Sequence, residues 1–189
     1  MELWLIRHTK PKVDKGICYG QLDLDVDTTF TDEVAQIKDI LKFIDISQVY
    51  SSPLMRCSKL AKALFPKREI KYDKRLMELN FGTWEGKDWS NIPLVDIDTW
   101  SENFYDKAPP EGESFQALVN RIESFESEVN AKGHENLAIV THAGVIRAFV
   151  MKYLNIPADK IFSLQLNYGA IVKITIHTES FQQVEFIKG

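Results

Sequence analysis

Residues 137–149, LAIVTHAGVIRAF, place a short apolar run directly before the polar turn His142-Ala143-Gly144, and a helical pattern follows through Val145, Phe149 and Leu154. A continuous apolar run of this length reads as a strand covered on both faces, with the polar residues delivered at its end. The same layout opens the chain, where Leu3-Trp4-Leu5-Ile6 stops at Arg7-His8-Thr9. It recurs at Gln48–Ser51, a predicted strand followed by Ser52 as helix N-cap and Pro53 at the first helical position. Leu54, Leu60, Ala61 and Leu64 then supply an apolar stripe, which puts Arg56 in the first turn of that helix.

Outward from these units, residues 9–30 are rich in Gly, Asp, Pro and Lys and read as an extended connection whose tip is placed to line a site. A helix is expected from Thr31 to near Asp45, with Asp32 and Glu33 in its first turn and Val34, Ile37, Leu41 and Ile44 on one face. Residues 69–77 add a further strand. Residues 78–112 hold three of the four Trp in an irregular pattern and read as an inserted cover. Phe115, Leu118, Ile122, Phe125 and Val129 mark a long amphipathic helix ending near Gly133. Residues 170–176 and 183–187 are expected as two closing strands joined by a hairpin-like loop at 178–182.

Alternating strands and helices predict a three-layer α/β sandwich with a mostly parallel central sheet, formed by residues 1–189 as a single domain. Ligands of such sheets bind beyond the carboxyl ends of the strands. The polar clusters at Arg7-His8, Ser51–Arg56 and His142 are therefore expected to converge.

At 189 residues, 44% of them hydrophobic, the chain suits one globular domain with a sizeable core rather than two. A formal charge of -4 provides no general attraction to nucleic acid or anionic lipid, so an anionic ligand must be held by locally placed Arg and His. The expected partner is a small phosphorylated metabolite, with no nucleic acid and no membrane; monomer and homodimer both stay open. Cys18 and Cys57 read as free thiols of a reducing cytosol. Glu2 and the short apolar run after it form neither signal peptide nor membrane span, so a cytoplasmic protein is expected.

Phosphoryl transfer requires positive charge on the phosphoryl oxygens and a nucleophile in line with the leaving group. Arg7 and Arg56 carry planar, permanently charged forks suited to phosphate, and the start of the helix bearing Arg56 would add backbone N–H groups. His8 can attack through one ring nitrogen while a hydrogen bond to the other fixes the tautomer.

Four segments, LIRHTKP, SSPLMR, ELNFGTWEG and THAGVIR, resemble in this order the signatures of the histidine phosphatase superfamily, also called phosphoglycerate mutase-like. The resemblance runs from residue 3 to about residue 170. It implies a phosphoglycerate mutase-like fold and a metal-independent, cofactor-free phosphomonoesterase in which His8 becomes the phosphohistidine. Arg7, Arg56 and His142 would bind the phosphoryl oxygens. Glu78 would protonate the leaving oxygen and later activate water, its carboxyl kept protonated by the neighbouring phosphate. Within the superfamily the chain is most similar to the α-ribazole phosphatases of cobalamin biosynthesis, on RHT in place of the commoner RHG, on ICYGQLDLDV and on ELNFGTWEG. The same resemblance puts Thr9 beside the pocket and Tyr19 and Gly20 on a substrate-facing loop. Trp84, Trp89, Trp100 and Phe104 in the cover either stack on a planar base or are simply buried. The usual HGG is HAG here.

Competing readings are weaker. Asp25-Val-Asp27-Thr-Thr29 fits the D-x-D-x-T pattern of Mg²⁺-dependent aspartate-nucleophile phosphatases, but it follows a mixed, polar stretch instead of an apolar strand. An EF-hand is excluded by Thr28 and Val34 at the positions that need Gly and Glu. A cysteine-nucleophile phosphatase needs Arg six residues after Cys, where Ala63 and Leu24 stand. Two further possibilities are a broad-specificity or phosphoglycerate mutase-like enzyme, and a non-catalytic phosphate-binding regulatory module. His134 and His177 match no motif and read as structural or solvated.

Overall fold

The computed structural model describes residues 1–178 and 180–189. Among the described residues six strands form one sheet in the order β3-β2-β4-β1-β5-β6. β1 (Glu2–Arg7), β2 (Gln48–Ser51), β3 (Ile70–Tyr72) and β4 (Asn136–Thr141) run parallel, while β5 (Ile171–Thr178) and β6 (Phe181–Lys188) close the sheet antiparallel. The sheet is thus mixed: its parallel part runs from the β3 edge to β1, with the apolar strands β4 and β1 in the interior of the sheet.

Side chains alternate between two faces of each strand. Leu3, Leu5, Leu137, Ile139, Val172 and Ile174 face a core shared with α4 (Phe115–Asn130) and α5 (Ala143–Leu154). Trp4, Ile6, Val49, Ala138, Val140 and Ile171 face a second core built with α1 (Phe30–Leu41) and α2 (Met55–Leu64). Helices therefore cover both faces, which gives the three layers expected from the sequence.

Three local readings need correction. α1 stops at Leu41, before Asp45, because the chain turns there and the Ile44 N–H donates to the Leu41 carbonyl at 3.0 Å. α2 starts at Met55, so neither Ser52 nor Pro53 belongs to its first turn. Ser52 Oγ instead accepts the Leu54 N–H at 3.3 Å, and Asp23 Oδ1 from the distant connecting loop accepts that of Met55 at 2.5 Å. The Leu54 and Met55 N–H groups are thereby satisfied within the protein, which leaves those two out of any anion binding at the start of this helix. Residues 69–77 contain only the three-residue β3 followed by a 3-10 turn at Lys74–Leu76. The closing strands are longer than expected, and part of the 178–182 loop, Glu179, lies outside the described residues.

The segment between β3 and α4 holds two further 3-10 turns and one helix, α3 (Leu94–Asn103), where the sequence showed only irregularity. It carries a small core of its own, in which Cys18, Trp84 and Ile92 are buried with Phe81, Trp89, Ile97 and Trp100 packed around them.

Candidate active site

β4 lies between β1 and β2, with Arg7 opposite Thr141 and Ser51 opposite Val140, so the three parallel strands end level. The ladder continues one residue further on each side: the His8 N–H donates to the Thr141 carbonyl and the Ser52 N–H to that of Val140, both at 2.9 Å. Sheet register alone thus brings His8, Ser52 and His142 together, as the three strand ends predicted. The imidazoles of His8 and His142 meet edge to face with centroids 5.1 Å apart.

His8 Nδ1 lies 2.7 Å from the Thr9 carbonyl oxygen. A carbonyl only accepts, so Nδ1 carries the ring proton and Nε2 keeps its lone pair. Burial, then the charges of Arg56 and Arg7, hold the His8 pKa well below 6.5, against the smaller opposing effect of the Thr9 carbonyl. The imidazole is therefore neutral at physiological pH, the state a nucleophile needs. His142 Nε2 is 2.8 Å from Ser52 Oγ and 3.4 Å from Cys57 Sγ. Its pKa too is held well below 6.5, by burial first and then by Arg56, His8, Arg121 and Arg7.

Arg56 is fully buried. It donates from Nη2 to the Gly20 carbonyl and from Nη1 to that of Leu22, both at 2.7 Å, with its guanidinium 5.3 Å from the Tyr19 ring. The Gly20 backbone has φ of +29°, and a Cβ there would lie 2.2 Å from Glu85 Oε1. Glycine is what lets this loop close on both Arg56 and Glu85. Arg7 donates from Nη1 to the Leu166 carbonyl and stacks 4.3 Å from the Tyr168 ring. Tyr168 and Tyr19 join hydroxyl to hydroxyl at 3.1 Å. Arg7 Nε, Arg56 Nε and Thr9 Oγ1 are buried polar groups with no hydrogen-bond partner. Unsatisfied buried donors are costly, and their concentration beside His8 suits a site that an anion completes.

Glu78 follows the 3-10 turn at Lys74–Leu76 and reaches the start of α5, where the Gly144 N–H donates to its Oε1 and Oε2 at 3.1 and 3.2 Å. Its Oε1 also accepts the Leu79 N–H at 2.9 Å. A Cβ on residue 144 would lie 2.2 Å from Glu78 Oε1. The second glycine of the usual HGG thus leaves room for the Glu78 carboxylate, which a Cβ would push aside, whereas Ala143 stands where a methyl group is tolerated.

A pocket of about 180 Å³ opens beside these groups. Arg7, Tyr19, Gly20, Glu78, Ala143 and Gly144 form its polar end, and Ile17, Leu79, Phe81, Trp89 and Phe162 its apolar wall. Of the cover aromatics singled out in the sequence, only Trp89 lines it; Trp84 and Phe104 are buried in packing and Trp100 is partly buried among them. Sequence reasoning missed Arg147, which lines the pocket with its guanidinium fixed by two hydrogen bonds to the Leu164 carbonyl, at 3.2 and 2.9 Å. Its position four residues after Ala143, one helical turn along α5, was the available signal. Tyr168 offered no motif at all.

The family model of the histidine phosphatase superfamily (branch 1) matches residues 3–188. The chain belongs to that superfamily. This histidine phosphatase, by its class a phosphoric monoester hydrolase, is 29% identical over 94% of its length to "Putative phosphoserine phosphatase 2" of Hydrogenobacter thermophilus, 90% of which is covered. It is 26% identical over 93% of its length to the adenosylcobalamin/alpha-ribazole phosphatase of Salmonella typhimurium, covered to 91%. Its fold matches the crystal structure of the alpha-ribazole phosphatase from Shigella flexneri with a TM-score of 0.88, at 22% identity over 98% of this chain and 95% of that one.

The rival acidic motif has other work in this histidine phosphatase. Asp25 pairs with Lys59 at 2.5 Å and Asp27 with Lys10 at 3.0 Å, all four partly or largely exposed. Among the described residues no group of three or more His, Cys, Asp or Glu is arranged to hold a metal ion, and no helix is long and apolar enough to cross a membrane. Cys18 and Cys57 are both free thiols, as the sequence suggested, and both are buried.

Proposed function

We propose that this histidine phosphatase hydrolyses a small phosphate monoester through a phosphohistidine on His8, without a metal, and that its substrate is α-ribazole 5'-phosphate. The observation that carries the mechanism is the neutral, buried His8, its tautomer fixed by the Thr9 carbonyl and its Nε2 lone pair beside two arginines with unpaired Nε–H groups. Nε2 attacks phosphorus while the ester P–O bond breaks, and Glu78 delivers its proton to the leaving oxygen. Glu78, now a carboxylate, takes a proton from water as that water attacks phosphorus and the P–N bond breaks. Arg7, Arg56 and His142 hold the phosphoryl oxygens in both steps, with Thr9 beside them. Tyr19 and Gly20 face the leaving group.

The apolar wall of Phe81, Trp89 and Phe162 supports a flat, largely apolar leaving group such as the base of α-ribazole, in line with the Salmonella typhimurium relative. Arg147 and the Hydrogenobacter thermophilus relative favour a second reading, a phosphoserine substrate whose carboxylate pairs with that guanidinium. The deciding experiment measures kcat/KM with a chelator present, for wild type and His8→Ala, on α-ribazole 5'-phosphate, phosphoserine, p-nitrophenyl phosphate and 3-phosphoglycerate. A strong preference for α-ribazole 5'-phosphate, abolished in His8→Ala together with the phosphoenzyme, is the expected result. Preference for phosphoserine selects the second reading, and strict Mg²⁺ dependence or a phosphoenzyme surviving in His8→Ala overturns the mechanism.

A further inference from the structure

Glu78 sits in a stretch with almost no regular structure of its own: after the 3-10 turn at Lys74–Leu76, residues 77–81 belong to no helix or strand. What fixes its backbone comes from elsewhere. Arg121 of α4 donates from Nη1 to the Arg75 carbonyl and from Nη2 to the Glu78 carbonyl at 3.0 Å. The same guanidinium forms a two-bonded ion pair with Glu113, Nε to Oε2 at 3.1 Å and Nη2 to Oε1 at 2.6 Å. Glu113 Oε1 also accepts the Asn80 N–H at 3.0 Å, and the Glu113 N–H donates to the Asn80 carbonyl at 2.9 Å. One ion pair thus grips the chain at 75, 78 and 80. Both members are mostly buried, at 18% side-chain exposure, and neither lines the pocket.

We propose that Arg121 and Glu113 are positioning residues that hold Glu78 at the distance from the phosphoryl site at which it can exchange a proton with the leaving oxygen; this rests on the reading of Glu78 as that proton donor. A planar fork suits the place because one cation makes four hydrogen bonds from three nitrogens, to two carbonyls and both oxygens of a carboxylate, whereas Lys has three donors on a single atom. Lost tethering leaves the Arg75 carbonyl without its guanidinium partner and the Glu78 carbonyl held by Gln21 Nε2 alone, at 2.9 Å, which lets the carboxylate drift. A drift of about 1 Å at a reacting group costs on the order of 100-fold in rate.

The test is the dependence of kcat/KM on the leaving group, because p-nitrophenolate departs without a proton whereas an alkoxide needs one. Arg121→Met is expected to lower kcat/KM by about 30- to 100-fold on α-ribazole 5'-phosphate or glycerol 2-phosphate and by less than about 5-fold on p-nitrophenyl phosphate. Glu78→Gln should show the same selectivity, and adding Arg121→Met to it should cost less than about 3-fold more, since residues acting as a unit are not additive. Equal losses on both substrates, or an undiminished loss in the Glu78→Gln background, would place Arg121 outside the proton-transfer step and overturn the proposal. If Glu78→Gln itself shows no leaving-group selectivity, the reading of Glu78 fails and the proposal with it. Should Arg121→Met not fold, Glu113→Gln keeps the guanidinium and its two carbonyl bonds. That variant should show the same selectivity on a smaller scale, and an even loss there would count against the proposal in the same way.

Discussion

At the scale of single residues the site is tuned by what is small. Gly144 and Ala143 sit side by side at the start of α5, yet only residue 144 has the Glu78 carboxylate within 2.2 Å of where a Cβ would be. Gly144→Ala should therefore separate stability from activity. Alanine is the better helix former by up to about 1 kcal/mol, so the thermal midpoint should hold or rise. The methyl group displaces the carboxylate, so kcat/KM on an alkyl phosphate should fall by about 100-fold. Differential scanning calorimetry beside steady-state kinetics checks both halves, and an active Gly144→Ala enzyme would show that Glu78 does not work from this position. The sequence carries the motif with one glycine replaced; what the other makes room for is visible only with Glu78, which is 66 residues away in the chain.

Among the elements, those legible in the sequence are the ones whose signal is local. β1 and β4 are continuous apolar runs buried on both faces, and β2 matches its expected bounds, so the sequence alone assigns His8, Ser52 and His142 to a common edge. The start of α2 was misread because its cap is not local. Ser52 and Pro53 imitate a capping signal, but the Met55 N–H is taken by Asp23, 32 residues earlier. α3 was missed since its apolar residues include Leu94 and Val95, 75% and 69% exposed, so they form no stripe against a core. The Asp23 contact has its own consequence. Asp23→Ala should destabilise the protein by about 1 kcal/mol, the usual worth of a helix N-cap. Because the same loop supplies the Gly20 and Leu22 carbonyls to Arg56, KM should rise as well. Urea unfolding and a KM measurement together test this; loss of stability with KM unchanged would mean that the loop holds its place on Arg56 alone.

The whole molecule carries two neutral, buried imidazoles surrounded by arginines, and this links its stability to pH. Both His8 and His142 titrate well below 6.5 in the folded state, with burial as the main cause. Below pH 6.5 the unfolded chain therefore binds protons that the folded chain refuses, and stability must fall as the pH falls, by up to about 1.4 kcal/mol per pH unit for each histidine. The depressed carboxylates Asp27 and Glu128, lowered to about 2 by Lys10 and by Lys132 with Arg75 respectively, act in the same direction but only as the pH drops through the ordinary carboxylate range. Unfolding free energies between pH 7.5 and 5.5 thus isolate the histidines. The slope should halve in His142→Gln and in His8→Gln. Sulfate, whose own charge does not change in this window, should flatten it in the wild type, because an anion among Arg7, Arg56 and the imidazoles stabilises the protonated ring and satisfies the orphaned Nε–H groups. Stabilisation by sulfate should accordingly be larger at pH 5.5 than at 7.5. A pH-independent stabilisation would mean that sulfate binds without changing the charge of either histidine, leaving the arginines to carry the anion alone.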